Sequence, residues 1–315
     1  MGELPSKNAV LVLTAFMLSI IFLLFFNFEK SHSLLIDSII NLGHVPLFMV
    51  VAAMVLWVLD WQNWPVTKLK NYILAGLITC VLALITEVLQ QITPERSFEI
   101  NDIIHDIVGC TIFLLIAYQH RRNMLHGVKL LLNFIAGILL LLASMSVIAA
   151  SLDELRTLRD FPLLASFETD RELDRWKIEE RYERSKLHTT HRNHSLRVDL
   201  YPGLYPGASF NHPPRNWRGY DSLFFDVFLD GTEELALSVC IHDLEHNEKF
   251  EDRYNRAYIL KPGPNRVTIC LSEVEHAPKG RSMDMEHIRV LCIFSYKLQK
   301  KRTVYFDNFR LEKNG

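Results

Sequence analysis

The stretch Thr86-Glu-Val-Leu-Gln-Gln-Ile-Thr-Pro-Glu-Arg96, continued by Ser-Phe-Glu-Ile-Asn-Asp102-Ile-Ile-His-Asp-Ile-Val-Gly109, decides how the first half of the chain is read. Charged and amide side chains crowd around one proline, yet apolar runs lie on both sides: residues 71–86 and 107–119 carry no charge. A helix crosses a bilayer core with about 20 apolar residues, each adding about 1.5 Å. The pattern is therefore two spans joined by a polar turn at one membrane face. On a helix Glu87, Gln90 and Gln91 fall at i, i+3 and i+4 and share a face; Asp102, His105, Asp106 and Gly109 do the same at i, i+3, i+4 and i+7. An antiparallel hairpin about Pro94 sets these polar ends side by side.

Outward from this hairpin, further apolar runs occupy residues 8–28, 38–59 and 130–152, so five spans are expected, at about 8–28, 38–59, 71–92, 103–119 and 130–152. A cleaved signal peptide is the alternative for the first. Its length, its single basic Lys7 and the lack of a small-x-small site before Glu29 favour a retained helix. Cytoplasmic loops retain Lys and Arg. An N-terminus in the cytoplasm puts Lys7, Lys68, Lys70, Arg121, Arg122 and Lys129 inside, against Lys30 and Arg96 outside. The C-terminal half is then held outside the cytoplasm, and Trp57, Trp61 and Trp64 form an aromatic belt at the inner face. His44 enters the membrane from the same side as the Pro94 turn, so three segments converge on one outer-face cluster.

Ionisable groups within spans are costly and face a bundle interior or a wet cavity, where they pair. Arg96 is the counter-charge for Glu87, Asp102 or Asp106, and Gly109 permits close helix approach. Two readings stand level: a polar latch that fixes helix packing, or a site for a headgroup, sugar or phosphate with Arg96 binding the anion. Acids beside His105 also allow acid–base chemistry, although no nucleophile is evident.

The cluster resembles the VanZ-like family of bacterial membrane proteins over about residues 8–125. Glu87, Gln90, Arg96, Asp102 and Gly109 match that family's pattern. Asp106 stands where the family has Asn, and the family's earlier histidine element is represented only by His44 in Asn41-Leu-Gly-His44. The resemblance implies a bacterial cytoplasmic (inner) membrane setting and a link to glycopeptide-antibiotic tolerance. It implies no established reaction.

After Ser151 the composition changes. The overall 49% hydrophobic content and net charge of -2 hide this shift, and the mixed charge excludes a nucleic-acid footprint. Alternation at Leu223, Phe225, Val227 and Leu229, at Leu237, Val239 and Ile241, at Val267, Ile269 and Leu271, and at Ile288, Val290, Cys292 and Phe294 predicts half-buried strands. Turn signals such as Tyr201-Pro-Gly, Tyr205-Pro-Gly, Asp230-Gly231 and Lys261-Pro-Gly-Pro264 separate them. The expected fold class is thus α + β in several domains: residues 1–152 a transmembrane bundle, 153–160 a linker, and 161–315 a β-sandwich.

The order Phe167-Glu168, Trp217-Arg-Gly-Tyr-Asp221, Arg253-Tyr254 and Val304-Tyr-Phe-Asp-Asn-Phe-Arg-Leu311 is similar to jelly-roll, galactose-binding-like carbohydrate-binding modules near family 11. This resemblance implies a structural calcium between Glu168 and Asp307, whose hard oxygens suit it; plain surface carboxylates are the alternative. Trp217, Tyr220 and Tyr254 are candidates for stacking on sugar rings, with core packing the competing role for Trp217. His188, His191 and His194 make only a remote metal set. Cys240, Cys270 and Cys292 lack zinc spacing; their odd number and strand-interior positions favour buried thiols, with a disulfide among the three as the alternative. The leading expectation is a cell-envelope protein that handles glycans or lipid-linked glycans, with membrane lipids as surroundings. An enzyme acting on an envelope lipid or polyprenyl-linked sugar, and a scaffold whose sandwich binds a protein partner, are the alternatives.

Overall fold

A computed structural model describes residues 33–61, 69–90 and 100–313, together with Thr14. The expected span at 8–28, Gln91, Pro94 and Arg96 lie outside the described residues. The chain divides into two compact units, one formed by residues 1–31 and 35–148, the other by 32–34 and 149–315.

The first unit is helical: α1 (Leu34–Leu42), α2 (His44–Trp61), α3 (Leu69–Gln90), α4 (Ile100–His120), α5 (His126–Ala143) and the start of α6 (Met145–Asp160). Four stretches among the described residues are long and apolar enough to cross a membrane: Leu34–Asp60, Leu69–Gln90, Ile100–His120 and His126–Ala143. The break between α1 and α2 follows from Pro46, which has no N–H to give the Leu42 carbonyl and whose ring crowds it. The Gly43 N–H instead closes onto the Ile39 and Ile40 carbonyls. Helix α3 shows how the bundle is sorted. Asn71, Tyr72, Ala75, Thr79, Ala83, Glu87 and Gln90 are buried along one stripe, while Ile73, Leu77, Val81, Leu84 and Val88 stand exposed on the rest, as a lipid-facing surface requires.

Two expectations need correction. The run 130–152 is not one helix: the Ser144 hydroxyl donates to the Leu140 carbonyl and its N–H is shared between Leu140 and Leu141. Such back-bonding bends a helix, and here it separates α5 from α6. The segment 153–160, expected as a linker, is the C-terminal half of α6. Its Leu, Glu and Arg residues are good helix formers, and helix ends only where Pro162 disfavours it.

The second unit is a sandwich of two antiparallel sheets. One sheet has the order β3 (Arg181–Ser185), β4 (Ser195–Leu200), β11 (Arg302–Glu312), β6 (Ser222–Leu229), β9 (Gly263–Cys270), with β1 (Leu163–Ala165) also paired to β11. The other has the order β2 (Trp176–Ile178), β5 (Gly207–Phe210), β10 (Ile288–Phe294), β7 (Leu235–Asp243), β8 (Tyr254–Leu260). Inward residues alternate as the strand period demands: Leu223, Phe225, Val227 and Leu229 from β6 meet Leu237, Val239 and Ile241 from β7 in one core. The alternation slips at β1, at β10 between Ile288 and Val290, and at β11. Between Asp307 and Arg310 β11 carries one residue more than β6, with Asn308 at φ 55°. This bulge returns Phe309 and Leu311 to the core after Val304 and Phe306. Arg175 ties α6 to the sandwich. Its Nε and Nη2 donate to the two oxygens of Asp153 at 2.7 and 2.8 Å, and its Nη1 reaches the Leu164 carbonyl at 3.3 Å.

Candidate functional site

In the helical unit, the Pro46 break places His44 at the first turn of α2, facing α4. His44 Nδ1 lies 2.8 Å from Asp106 Oδ1, and His44 Nε2 lies 3.9 Å from Asp102 Oδ2. Glu87 and Gln90 are buried on α3, and Glu87 is within electrostatic range of both His44 and Asp106. Gly109 makes this approach feasible, since a Cβ there would sit 2.2 Å from the Val45 carbonyl oxygen. His105 is drawn elsewhere: its Nε2 meets the Ala143 carbonyl at 3.2 Å, at the C-terminal end of α5. The structure thus gathers His44, Asp102, Asp106 and Glu87 and sets His105 toward a different helix. Low-dielectric surroundings strengthen such a charge-assisted pair, which can lock two helices or pass a proton.

In the sandwich, the outward face of the five-stranded sheet forms a groove of about 1090 Å³. Strand register lays one row straight across its floor: Lys177, Ser209, Cys292, Cys240 and Asn255, on β2, β5, β10, β7 and β8 in turn. Three lining aromatics stay open to solvent, Tyr205 at 60%, Tyr296 at 52% and Phe250 at 68%. The Tyr205 ring is 5.4 Å from Tyr296 and 5.5 Å from Phe294. Backbone bonds from Ser295 to Pro206 and from Lys297 to Leu204 hold this pair in place. Gly207 is required beneath it, because a Cβ would fall 2.1 Å from the Ile293 carbonyl oxygen. Arg253 also lines the groove, and its buried Nε has no hydrogen-bond partner.

The segment bearing Phe250 and Arg253 is tied down by Arg281. The guanidinium donates to Asp252 at 2.7 and 3.1 Å and to Asp243 at 2.6 and 2.8 Å. Hydrogen bonding from Arg281 brings the Asp252 carboxyl down to about 2. Against burial, Arg281 and the Asp284 N–H hold Asp243 below the usual carboxylate range.

Comparison with known proteins addresses the two units separately. Residues 6–126 match the VanZ/LLP1 family model. No curated protein sequence matches the chain. Among solved structures, an exo-beta-agarase is 15% identical at a TM-score of 0.40, covering 49% of this chain and 25% of its own. About half of this chain therefore corresponds to about a quarter of that enzyme. The family 11 carbohydrate-binding module of Clostridium thermocellum, in complex with a beta-1,3-1,4-mixed-linked tetrasaccharide, is 14% identical at 0.36, covering 48% of this chain and 94% of its own. A family 30 module from the same organism's cellulase is 13% identical at 0.32, with coverages of 48% and 91%. The VanZ/LLP1 match includes His44, Glu87, Gln90, Arg96, Asp102, His105, Asp106 and Gly109.

The residues expected to stack on sugar are placed differently. Trp217 is fully buried, its indole N–H donating to the Pro214 carbonyl at 2.6 Å. Tyr254 is buried with its hydroxyl against that of Tyr258. Tyr220 is half-buried, edge-on to Phe161. None of the three lines the groove; the aromatics that do are Tyr205, Phe250, Phe294 and Tyr296. The turn signal Tyr205-Pro-Gly207 marked one of them, but only sheet order brings Tyr205 beside Tyr296. Glu168 and Asp307, the pair implied to hold calcium, each hold backbone N–H groups of the same loop. Glu168 Oε1 accepts the N–H groups of Asn193 and His194, and Asp307 Oδ2 accepts those of Thr190 and His191. Oxygens engaged this way anchor the loop between Thr190 and His194. Among the described residues no group of three or more His, Cys, Asp and Glu could hold a metal ion. His188 stacks on Phe228, while His194 meets Glu168. Burial pushes the Asp307 carboxyl up to about 6 against those N–H donors, whereas Glu168, against burial, is held below the usual range by Asn193 and His194.

Proposed function

We propose that this protein is a membrane-embedded glycan-binding protein of the bacterial cell envelope, its sandwich groove taking a saccharide outside the cytoplasm. The observation that supports this most is the groove itself. Exposed Tyr205, Tyr296 and Phe250 offer ring faces, and Lys177, Ser209 and Asn255 on the floor offer polar groups between them. Polar ligands are oriented by a few such donors among apolar walls. The loop-charge asymmetry supports five spans with the N-terminus in the cytoplasm, and the His44–Asp106 cluster then meets a lipid or lipid-linked headgroup at the outer face. Glycopeptide-antibiotic tolerance is the phenotype this setting suggests.

The test is saccharide binding by the full-length protein in detergent, first on a glycan array and then by calorimetry. Tyr205→Ala and Tyr296→Ala each weaken binding by about tenfold, the equivalent of about 1.4 kcal/mol, while Tyr220→Ala leaves it unchanged. Absence of saccharide binding, or equal affinity in all three variants, counts against the reading. The hydrogen-bonded His44–Asp106 pair favours a second reading, acid–base chemistry on an envelope lipid. It predicts that Asp106→Asn abolishes turnover of such a lipid while the helices stay folded.

A further inference from the structure

Two thiols lie at the centre of the groove floor. Cys240 on β7 and Cys292 on β10 are direct cross-strand partners, and both line the groove. Directly opposed residues of an antiparallel pair have Cβ atoms about 4.5–5.5 Å apart, and their Cα spacing falls within the range a disulfide bridges. Both side chains stand on the outward face of the sheet, since their neighbours Val239, Ile241, Leu291 and Ile293 fill the core. Cys240 is buried and Cys292 is partly open. The third cysteine of the sandwich, Cys270, is exposed at the end of β9 in the other sheet.

We propose that Cys240 and Cys292 are a redox pair that takes up a disulfide oxidant at Cys292 and closes a cross-strand disulfide on the groove floor. The surroundings divide the roles. Pairing with Cys240, against burial and helped by Ser209 and Arg253 beside it, holds the Cys292 thiol below its ordinary range. The same pairing, together with burial, pushes Cys240 up. Cys292, partly open to the groove, is the thiol an incoming disulfide can reach and attacks as the thiolate, and the buried Cys240 is the resolving thiol.

In the first step Cys292 Sγ⁻ attacks one sulfur of a low-molecular-weight disulfide. A mixed disulfide forms, and one thiolate leaves and takes up a proton. In the second step the Cys240 thiol loses its proton to solvent and attacks Cys292 Sγ, expelling the second small thiol. Two protein thiols are oxidised to one disulfide while one external disulfide is reduced to two thiols. Closure ties together β7 and β10, two inner strands of the groove sheet, and stands independently of what the groove binds.

The experiment treats the full-length protein in detergent with oxidised glutathione, blocks remaining thiols with N-ethylmaleimide, and maps the peptides by mass spectrometry. The expected product is a Cys240 peptide linked to a Cys292 peptide. Cys240→Ser should trap glutathione on Cys292. Cys292→Ser should take up glutathione on Cys240 at least about fivefold more slowly, the thiolate gain partly offset by lower intrinsic nucleophilicity. Hydrogen exchange of β6 and β11 checks that each variant keeps the sandwich folded. Glutathione confined to Cys270 in folded protein, with Cys240 and Cys292 recovered as alkylated thiols, overturns the proposal. So does a linked pair that forms only after unfolding.

Discussion

Replacing Arg281 by glutamine removes the cation that bridges Asp243 and Asp252. Four hydrogen bonds of 2.6–3.1 Å are lost. Both carboxylates are left nearly inaccessible, Asp243 at 0% and Asp252 at 5% exposure. Breaking a buried charge pair by deleting one partner costs about 3–5 kcal/mol. The guanidinium is itself 24% exposed, so water replaces part of it and the lower end, about 3 kcal/mol, is expected. The sign with pH follows from the depressed carboxyls. Their contribution is present above the unfolded carboxylate range and lost as pH falls toward about 2 for Asp252. In the variant the stranded carboxyls neutralise instead, so the gap to wild type narrows from pH 7 toward pH 4. Native-state hydrogen exchange of β7 and β10 in the intact protein reads this directly, since core amides report global opening. About 3 kcal/mol appears as roughly hundredfold faster exchange at pH 7, after correction for intrinsic rates. Unchanged exchange at pH 7, or a gap that widens toward pH 4, would refute the bridging argument.

Gly109→Ala drives a Cβ onto the Val45 carbonyl and separates α2 from α4. Detergent thermal stability should fall by about 1–3 kcal/mol, and unchanged melting would show that the two backbones are not in contact. Asp307→Asn removes a carboxyl that burial has raised to about 6. A raised carboxyl stabilises the fold below the unfolded carboxylate range and loses that contribution as pH rises through about 6. The variant's deficit, read by hydrogen exchange of β11, should therefore be smaller at pH 7 than at pH 4. Asp153→Leu leaves the Arg175 guanidinium buried without its carboxylate and should cost about 3–5 kcal/mol, with α6 residues 153–160 exchanging first. Exchange in α6 no faster than in wild type would assign the coupling to other contacts.

The legible parts were those governed by local period. Uncharged runs marked the helices at Leu34–Asp60, Leu69–Gln90 and Ile100–His120, and strict alternation marked β6, β7 and β9. In β10 the expected inward set Ile288, Val290, Cys292 and Phe294 was wrong past Ile288, because the register shift before Val290 gives the core Leu291 and Ile293 and turns Cys292 and Phe294 to the groove. The break at Ser144 was hidden because neither Pro nor Gly signals it; a serine bond back to Leu140 makes it. The bulge at Asn308 was hidden for a similar reason, since an inserted residue leaves the apolar count unchanged. The groove was not legible at all. Tyr205 and Tyr296 meet only because β5 lies beside β10, and Cys240 faces Cys292 only because β8 and β9 intervene in sequence but not in that part of the sheet. Trp217 and Tyr254 misled because an aromatic beside a strand serves a core as readily as a ligand, and the pattern records no depth.

The attachment of the sandwich has a mechanical consequence. The chain enters it through β1, three residues long and held on β11 at Leu163 and Ala165, with Asp153 and Arg175 clamping the helix that precedes it. If the groove binds a ligand as proposed, tension between it and α6 loads this short strand and the Asp153–Arg175 pair before it reaches β7 or β10. This short strand and its ion pair, not the groove sheet, would then be the first contacts to bear the load.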